Sequence, residues 1–277
     1  MQVLAPAKIN LSLRVGGRRA DGFHEVETFI APISIADEII LDKNEIGHGI
    51  QFHCDDSSIP AGAENLVVRA AQAFFQKTKV AADVRIDLRK KIPHGAGLGG
   101  GSSDAASVLI GLNGLFGTNL SREVLAELGA GIGSDVAFFL FSSAAMCRGR
   151  GEIVSPEPLK KQLTLLLLKP EFRVPTAMAY ALWQDSREIP GILYAPQEFG
   201  GHRFFNDLER PVFEKFVFLA EMKMWLLRQP EVRVALMSGS GSNMFAVMGE
   251  SANSDSLAAR AKAELDPKLW CCPCVTG

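Results

Sequence analysis

Pro93 to Ala106 reads PHGAGLGGGSSDAA. Its glycines Gly95, Gly97, Gly99, Gly100 and Gly101 lead into Ser102 and Ser103, and then into an apolar, alanine-rich stretch. Glycine admits backbone angles that a side chain forbids and lets the chain approach a ligand closely. A glycine loop that opens a helix gathers unpaired N–H groups at the positive end of the helix dipole, which makes an anion site. The stretch, Ala96 and Leu98 included, is therefore expected to cradle the phosphates of a nucleotide. Ser102 or Ser103 is expected to cap the helix that follows. The apolar face of that helix is Ala105, Ala106, Val108, Leu109, Leu112, Leu115 and Phe116.

Three familiar glycine loops do not fit. Gly95 to Gly100 matches G-x-G-x-x-G, but Pro93 and His94 separate it from the preceding strand. A second helix follows the first, with no acidic strand end about 20 residues on, so a dinucleotide fold is disfavoured. A Walker A loop needs Lys after its last glycine, and Gly101 is followed by Ser102. The H-R-D and D-F-G signatures of protein kinases are missing.

Working outward, residues 3 to 15 alternate as a strand, with Ile9, Leu11, Leu13 and Val15 on one face and Lys8, Asn10, Ser12 and Arg14 on the other. Lys8 is either a solvent-facing strand residue or a buried cation with a charged partner. Gly16 to Phe23 is turn-like, and His24 closes it as either a surface histidine or a reader of a polar ligand edge. Strands follow at Val26 to Ile33, Ile39 to Leu41 and Ile50 to Phe52. Glu64 to Lys77 is an amphipathic helix, with Asn65 placed as its cap. Val84 to Leu88 is the strand before the glycine loop. Arg89-Lys90-Lys91 reads as a solvated strand end or as a source of anion attraction. Asp104 is a first-turn acid that suits the helix dipole, or one that touches a metal-bound water. A third helix spans about Ser121 to Leu128, broken by Gly129, Gly131 and Gly133. Asp135 then leads into the apolar run Val136 to Phe141, as a helix cap or a catalytic carboxylate.

Composition shifts near Pro156 to Lys161, which divides the chain into 1–155 and 156–277. Beyond it lie a strand at Leu163 to Leu168, a helix at Pro175 to Trp183, a loop at Pro190 to Gly201 and a helix at Pro211 to Leu227. Strands at Val232 to Met237 and Met244 to Met248 flank a second glycine turn, Ser238 to Gly241. A helix at Ser254 to Leu265 and a strand at Leu269 to Val275 finish the chain. Setting the extra helix aside leaves β-α-β-β-α-β, a ferredoxin-like pattern.

The 277 residues carry a formal net charge of -2, with 47% hydrophobic and 22% charged residues. That is the balance of a compact domain pair and lacks the basic footprint of a nucleic-acid binder. No apolar run approaches the ~20 residues of a membrane helix, and no signal peptide is visible, so a cytoplasmic location is expected. Five Cys argue for a reducing compartment. Cys271, Cys272 and Cys274 crowd the C-terminus without a second ligand pair at zinc spacing, so a plain strand is expected there and no protein metal site.

A loop with no lysine of its own, a remote Lys8, a remote Asp135 and a second glycine turn form a specific combination. Through PAKINL (6–11), GAGLGGGSSDAA (95–106) and MSGSGSNMF (237–245), the chain resembles the galactokinase, homoserine kinase, mevalonate kinase and phosphomevalonate kinase (GHMP) superfamily. The resemblance implies an α+β, two-lobed GHMP kinase fold. An N-terminal ATP-binding lobe of the ribosomal-protein-S5-domain-2-like type would pair with a C-terminal ferredoxin-like lobe, the active site lying between them. RADGFHEVET (19–28), FNDLE (205–209), GSDVAFF (133–139) and GRGE (149–152) are similar to the branch that acts on an alcohol carrying a cytidine diphosphate group.

Carried over by that resemblance, Gly97 to Ser103 wrap the phosphates of ATP, which brings Mg²⁺ with it. Asn65 to Val67, Leu66 included, lie near the adenine pocket, and Pro93, Gly95 and Ala96 are further ATP-binding positions. Asp135 is the general base, with Lys8 beside it. Asn10, Phe23, His24, Tyr180, Gly239 and Ser240 bind the substrate, Tyr180 stacking on cytosine. Two positions depart from the pattern: Ala137 replaces a usual Pro, and Phe23 replaces a frequent Tyr, so a hydroxyl contact is absent. Another alcohol, such as homoserine or mevalonate, and a non-catalytic nucleotide-binding module remain as alternatives. The expected partner is a small molecule rather than nucleic acid or membrane, and the chain is a monomer or homodimer.

Overall fold

The computed structural model describes residues 1–250 and 252–277. The chain begins with two long antiparallel strands, β1 (Gln2–Arg18) and β2 (His24–Lys43), followed by β3 (Ile50–Cys54). Then come α1 (Leu66–Thr78), β4 (Val84–Arg89), α2 (Gly100–Phe116), α3 (Arg122–Ile132), the short α4 (Val136–Phe139), β5 (Ala145–Arg148) and β6 (Ile153–Pro156). The second part comprises β7 (Thr164–Lys169), α5 (Thr176–Leu182), β8 (Gln197–Phe199), β9 (His202–Asn206), α6 (Glu209–Lys215), α7 (Val217–Leu227), β10 (Val232–Met237), β11 (Met244–Met248), α8 (Ser254–Glu264) and β12 (Trp270–Val275).

The first sheet runs β3-β4-β2-β1-β9-β8, with β5 joining β2 and β6 joining β5. The second runs β10-β11-β7-β12, all antiparallel. Counting its four strands by themselves gives the order 2-3-1-4, which is the ferredoxin-like arrangement expected from the β-α-β-β-α-β pattern.

The layers follow from which faces are apolar. Ile39, Leu41, Ile86 and Leu88 of the first sheet pack on Phe74 and Phe75 of α1 and on Ala105, Ala106, Leu109 and Leu112 of α2. The opposite face, through Ala7, Ile9 and Leu11, meets Leu165, Leu167, Leu236 and Phe245 of the second sheet. The far side of that sheet is covered by Leu219, Met222 and Leu226 of α7 and Leu257 and Ala261 of α8. The stack is therefore helices, sheet, sheet, helices.

Several local expectations change. The two strands read at 26–33 and 39–41 are parts of β2, which continues through Ala36 and Asp37 because β1 pairs along that stretch. The helix α2 starts at Gly100, earlier than Ser102 or Ser103, because Gly99 turns the chain in at φ 71° and caps it without a side chain. Gly129 and Gly131 lie inside α3, which ends only at Gly133. The single helix read at 211–227 breaks at Phe216 into α6 and α7. Part of the loop read at 190–201 is strand β8. Its hairpin partner β9 joins the first sheet beside β1, pairing Ser12 with Phe205 and Leu13 with Asn206. A division at 155/156, which we retain as a proposal, therefore includes one exchange of strands between the two halves.

Candidate active site

Lys8 lies in the middle of β1, where neighbouring residues point alternately to the second sheet and toward α2. Its apolar neighbours Ala7 and Ile9 take the sheet side. Lys8 takes the other and is 3% exposed, so the solvent-facing reading is overturned. The Nζ donates to Asn10 Oδ1 at 2.6 Å and to the Gly97 carbonyl at 2.9 Å, and stands 3.7 Å from Asp135 Oδ2. Burial pushes the Lys8 pKa down, and the charge of Asp135 pulls it back. Asn10 is itself held, its amide donating to Thr28 Oγ1 at 2.8 Å.

Asp135 stands at the N-cap position of α4 but makes no side-chain cap bond. Its carboxylate is instead free toward a cavity, so the capping reading fails on geometry. Cys147 of β5 lies behind the pair, its thiol pushed up to about 12 by burial and by the charge of Asp135.

The two glycine turns, separated by about 140 residues in sequence, meet here. The Gly97 carbonyl that receives Lys8 also accepts from Ser238 Oγ at 3.0 Å. The main chains of the two turns join through Asn243 N–H to Ala96 O at 3.1 Å, and β1 joins the first loop through Lys8 N–H to Leu98 O at 2.9 Å. Gly97 has φ +76°, and a Cβ there would stand 2.3 Å from the Ser238 carbonyl, so no other residue fits this contact. FNDLE is what holds the second turn in place. Asn206 donates to the carbonyls of Met237 and Gly239 at 2.7 and 2.8 Å. Glu209 accepts the Met237 N–H at 2.9 Å and is neutralised by Lys223 at 2.5 Å.

Two cavities open on either side of this junction. One, of about 320 Å³, is lined by Asn65, Leu66, Pro93, Gly95 to Gly101 and Ser102, with Ile59 and Pro60 at its far end. The N-terminus of α2 opens on it without a side-chain cap. Ser103 is not among its walls. It is fully buried, its N–H is bonded to Gly99 O and its Oγ has no partner, so its expected contact with phosphate is not supported. Asn65 borders the cavity, but its amide is taken up by Val67 N–H and the Pro60 carbonyl, the capping role read from sequence. The other cavity, of about 790 Å³, brings together Lys8, Asn10, Phe23, His24, Asp135, Tyr180, Gly239 and Ser240. The His24 and Tyr180 rings stack at 5.7 Å, with Trp183 edge-on to His24 at 6.0 Å. Arg150 lies over the half-exposed Phe23 ring at 5.0 Å. Burial and Asp135 raise the pKa of Tyr180, so its hydroxyl stays protonated.

Sequence reading missed one more cluster. Asp37, fully buried, binds the Lys90 ammonium and accepts from the N–H groups of Lys91 and Ile92. Asp104 takes the same ammonium at 2.7 Å. Lys90 is thus no solvated strand end, and Asp104, expected as a first-turn acid, lies beyond the first turn of α2 and is paired with Lys90. Together they fasten the base of the loop to α2 just beyond its first turn. The nearest signal was Asp37 itself, a charge within an apolar strand. Cys271, Cys272 and Cys274 are free thiols on β12. Among the described residues, no helix is long and apolar enough to cross a membrane.

The family model for the GHMP kinases N terminal domain matches residues 65–143. A 4-diphosphocytidyl-2-C-methyl-D-erythritol kinase of Methylacidiphilum infernorum is 41% identical over 272 residues, covering 96% of this chain and 93% of the relative. The chain belongs to the 4-diphosphocytidyl-2-C-methyl-D-erythritol kinase family. A crystal structure of 4-(cytidine 5'-diphospho)-2C-methyl-D-erythritol kinase superposes with a TM-score of 0.79 at 37% identity, covering 100% of both chains. Homoserine kinase from Cytophaga hutchinsonii gives 0.72 at 16% identity, covering 100% of this chain and 94% of that one, a likeness of fold alone. The two-lobed α+β GHMP kinase fold and the ATP-dependent small-molecule kinase class expected from sequence both stand.

Proposed function

We propose that the chain transfers a phosphoryl group from ATP to the 2-hydroxyl of 4-diphosphocytidyl-2-C-methyl-D-erythritol, in the non-mevalonate route to isoprenoid precursors. The observation that carries this reading is the junction at the Gly97 carbonyl. Lys8 and the second glycine turn converge there, between a small cavity at a helix N-terminus and a large one that holds Asp135.

The small cavity suits the nucleotide, with the free N–H groups of Gly100 and Gly101 and the α2 dipole toward its phosphates. The bound nucleotide would bring Mg²⁺, which offsets phosphate charge. The Ser102 hydroxyl, at the loop end of the cavity, would orient the water around it. Phosphoryl transfer asks the protein mainly for alignment and charge stabilisation. Asp135 would accept the proton of the attacking hydroxyl. Lys8, fixed by Asn10 and Gly97, would hold the carboxylate in place and offset charge on the group in transit.

The large cavity favours a cytidylyl alcohol over homoserine or mevalonate. A small aliphatic alcohol would leave most of its volume empty, and the His24–Tyr180 aromatic pair suits a base. With Lys8, Asp135 and both glycine turns in register, a non-catalytic module is disfavoured. We place the enzyme in the cytoplasm, where both substrates are soluble. A coupled assay of ADP release across the cytidylyl alcohol, homoserine and mevalonate tests the assignment. Turnover is expected with the first only, and turnover with either of the others in its place would overturn the substrate.

A further inference from the structure

We propose that Arg173, carried by the second lobe, is a phosphate-binding residue of the nucleotide cavity in the first lobe. The inference rests on the reading of that cavity as the ATP site.

Arg173 sits between β7 and α5, on a backbone held from both sides. Ser242 Oγ donates to the Phe172 carbonyl at 2.7 Å, the Phe172 ring stacks on Phe216 at 5.3 Å, and Val174 is buried. From this fixed turn the exposed Arg173 side chain crosses to the other lobe and lies on Gly95. A Cβ on Gly95 would stand 2.9 Å from Arg173 Cδ and 3.5 Å from its Nε. Gly95 and His94 both line the nucleotide cavity, and Arg173 lies against Gly95 just outside that lining.

Charges of both signs surround Arg173, and none of them pairs with it. Lys169 and His94 have their pKa values lowered by burial first and by Arg173 second. Lys90 also faces His94, but Asp37 and Asp104 neutralise it. The acids on this side are Asp56, which makes no ion pair with Arg173, and Glu171, which is paired with Lys268. Among the described residues the Arg173 side chain has no ion pair and no hydrogen bond, whereas most other cations of the site do. A guanidinium held without a partner, beside an anion-binding loop that lacks a lysine of its own, matches a polyphosphate. Its planar fork can bind two phosphate oxygens at once. Because the two groups come from different lobes, nucleotide binding would tie the lobes together across the cleft.

The test is titration calorimetry of Mg-ATP on the wild-type chain, Arg173→Ala and Arg173→Lys, with inorganic tripolyphosphate as a competitor. Arg173→Ala is expected to raise the ATP Kd about tenfold, as for loss of one charge-assisted contact. It should weaken tripolyphosphate competition in parallel, and the effect should fall on KM for ATP rather than on kcat. Arg173→Lys should recover part of the loss, and added salt should shrink the difference between wild type and Ala. Since Arg173 bonds nothing in the fold, the thermal midpoints should agree. An unchanged ATP Kd in Arg173→Ala overturns the inference and leaves the nucleotide site standing. Weaker ATP binding with unchanged tripolyphosphate competition also overturns it, in favour of a base or ribose contact. A wild-type chain that binds no ATP overturns the reading of the cavity itself.

Discussion

Lys8 and Lys223 are both buried lysines that face a carboxylate, yet they are built for opposite ends. Lys223 meets Glu209 at 2.5 Å with both side chains 1% exposed, and the remaining Glu209 oxygen is occupied by the Met237 N–H. Lys8 meets Asp135 only at 3.7 Å, and the Asp135 side chain is 36% exposed. The first pair is sealed, with both Glu209 oxygens occupied within the protein. The second leaves a carboxylate turned to a cavity, its lysine anchored by Asn10 and Gly97. A closed pair fixes backbone, here the strand that leads into the second glycine turn. An open pair keeps capacity for a proton and a phosphoryl group.

The contrast can be broken by mutation. Asp135→Ala should lower kcat by roughly 10³-fold or more, in the range of a lost general base, while ATP binding and the thermal midpoint stay near wild type. Glu209→Ala should do the reverse. It strands a buried ammonium, so chemical denaturation should show a loss of about 3–5 kcal/mol. The double change Glu209→Gln with Lys223→Met should recover much of that loss. Lys8→Ala should lower kcat by about 10²-fold with a smaller rise in KM for ATP. A pure KM effect would move Lys8 from chemistry to binding.

The smallest effect concerns the third buried cluster. Burial, aided by Asp37 and opposed by Lys90, pushes the Asp104 carboxyl from 3.8 up to about 7. Between those values the folded chain holds a proton that the unfolded chain has released. This contribution to stability is therefore full below about pH 4 and is lost as pH rises toward 7. Asp104→Asn removes the titration. Its thermal midpoint should vary less than that of the wild type across this window, by a few degrees.

Much of this was legible in the chain because the signals were local. Period-3.6 apolar spacing marks α1 and α2, and the Ser121 cap marks α3, its Oγ accepting from Val124 N–H. The second lobe followed from element order alone. Alternation failed at Lys8 because both faces of β1 are buried, one by the second sheet and one by the loop. The hairpin of β8 and β9 was hidden in a stretch rich in Pro and Gly, and its pairing with β1 spans nearly 200 residues. A separation of about 30 residues hid what FNDLE does. Asn206 and Glu209 look like ordinary polar residues until the second glycine turn is folded against them. Asp37 and Lys90 are 53 positions apart, and only the β2–β4 pairing brings them together. Resemblance supplied Lys8 and Asp135, and the fold supplied the reason they meet.

We propose that Asp135 does chemistry and not capping. Asp135→Asn keeps the shape and the capping ability of the side chain and removes the base. Its ADP release with the cytidylyl alcohol, measured beside its calorimetric affinity for Mg-ATP, tests the claim most directly. Near-native ATP affinity is expected, with kcat reduced by about 10³-fold. A variant that turns over at a near-native rate would contradict it.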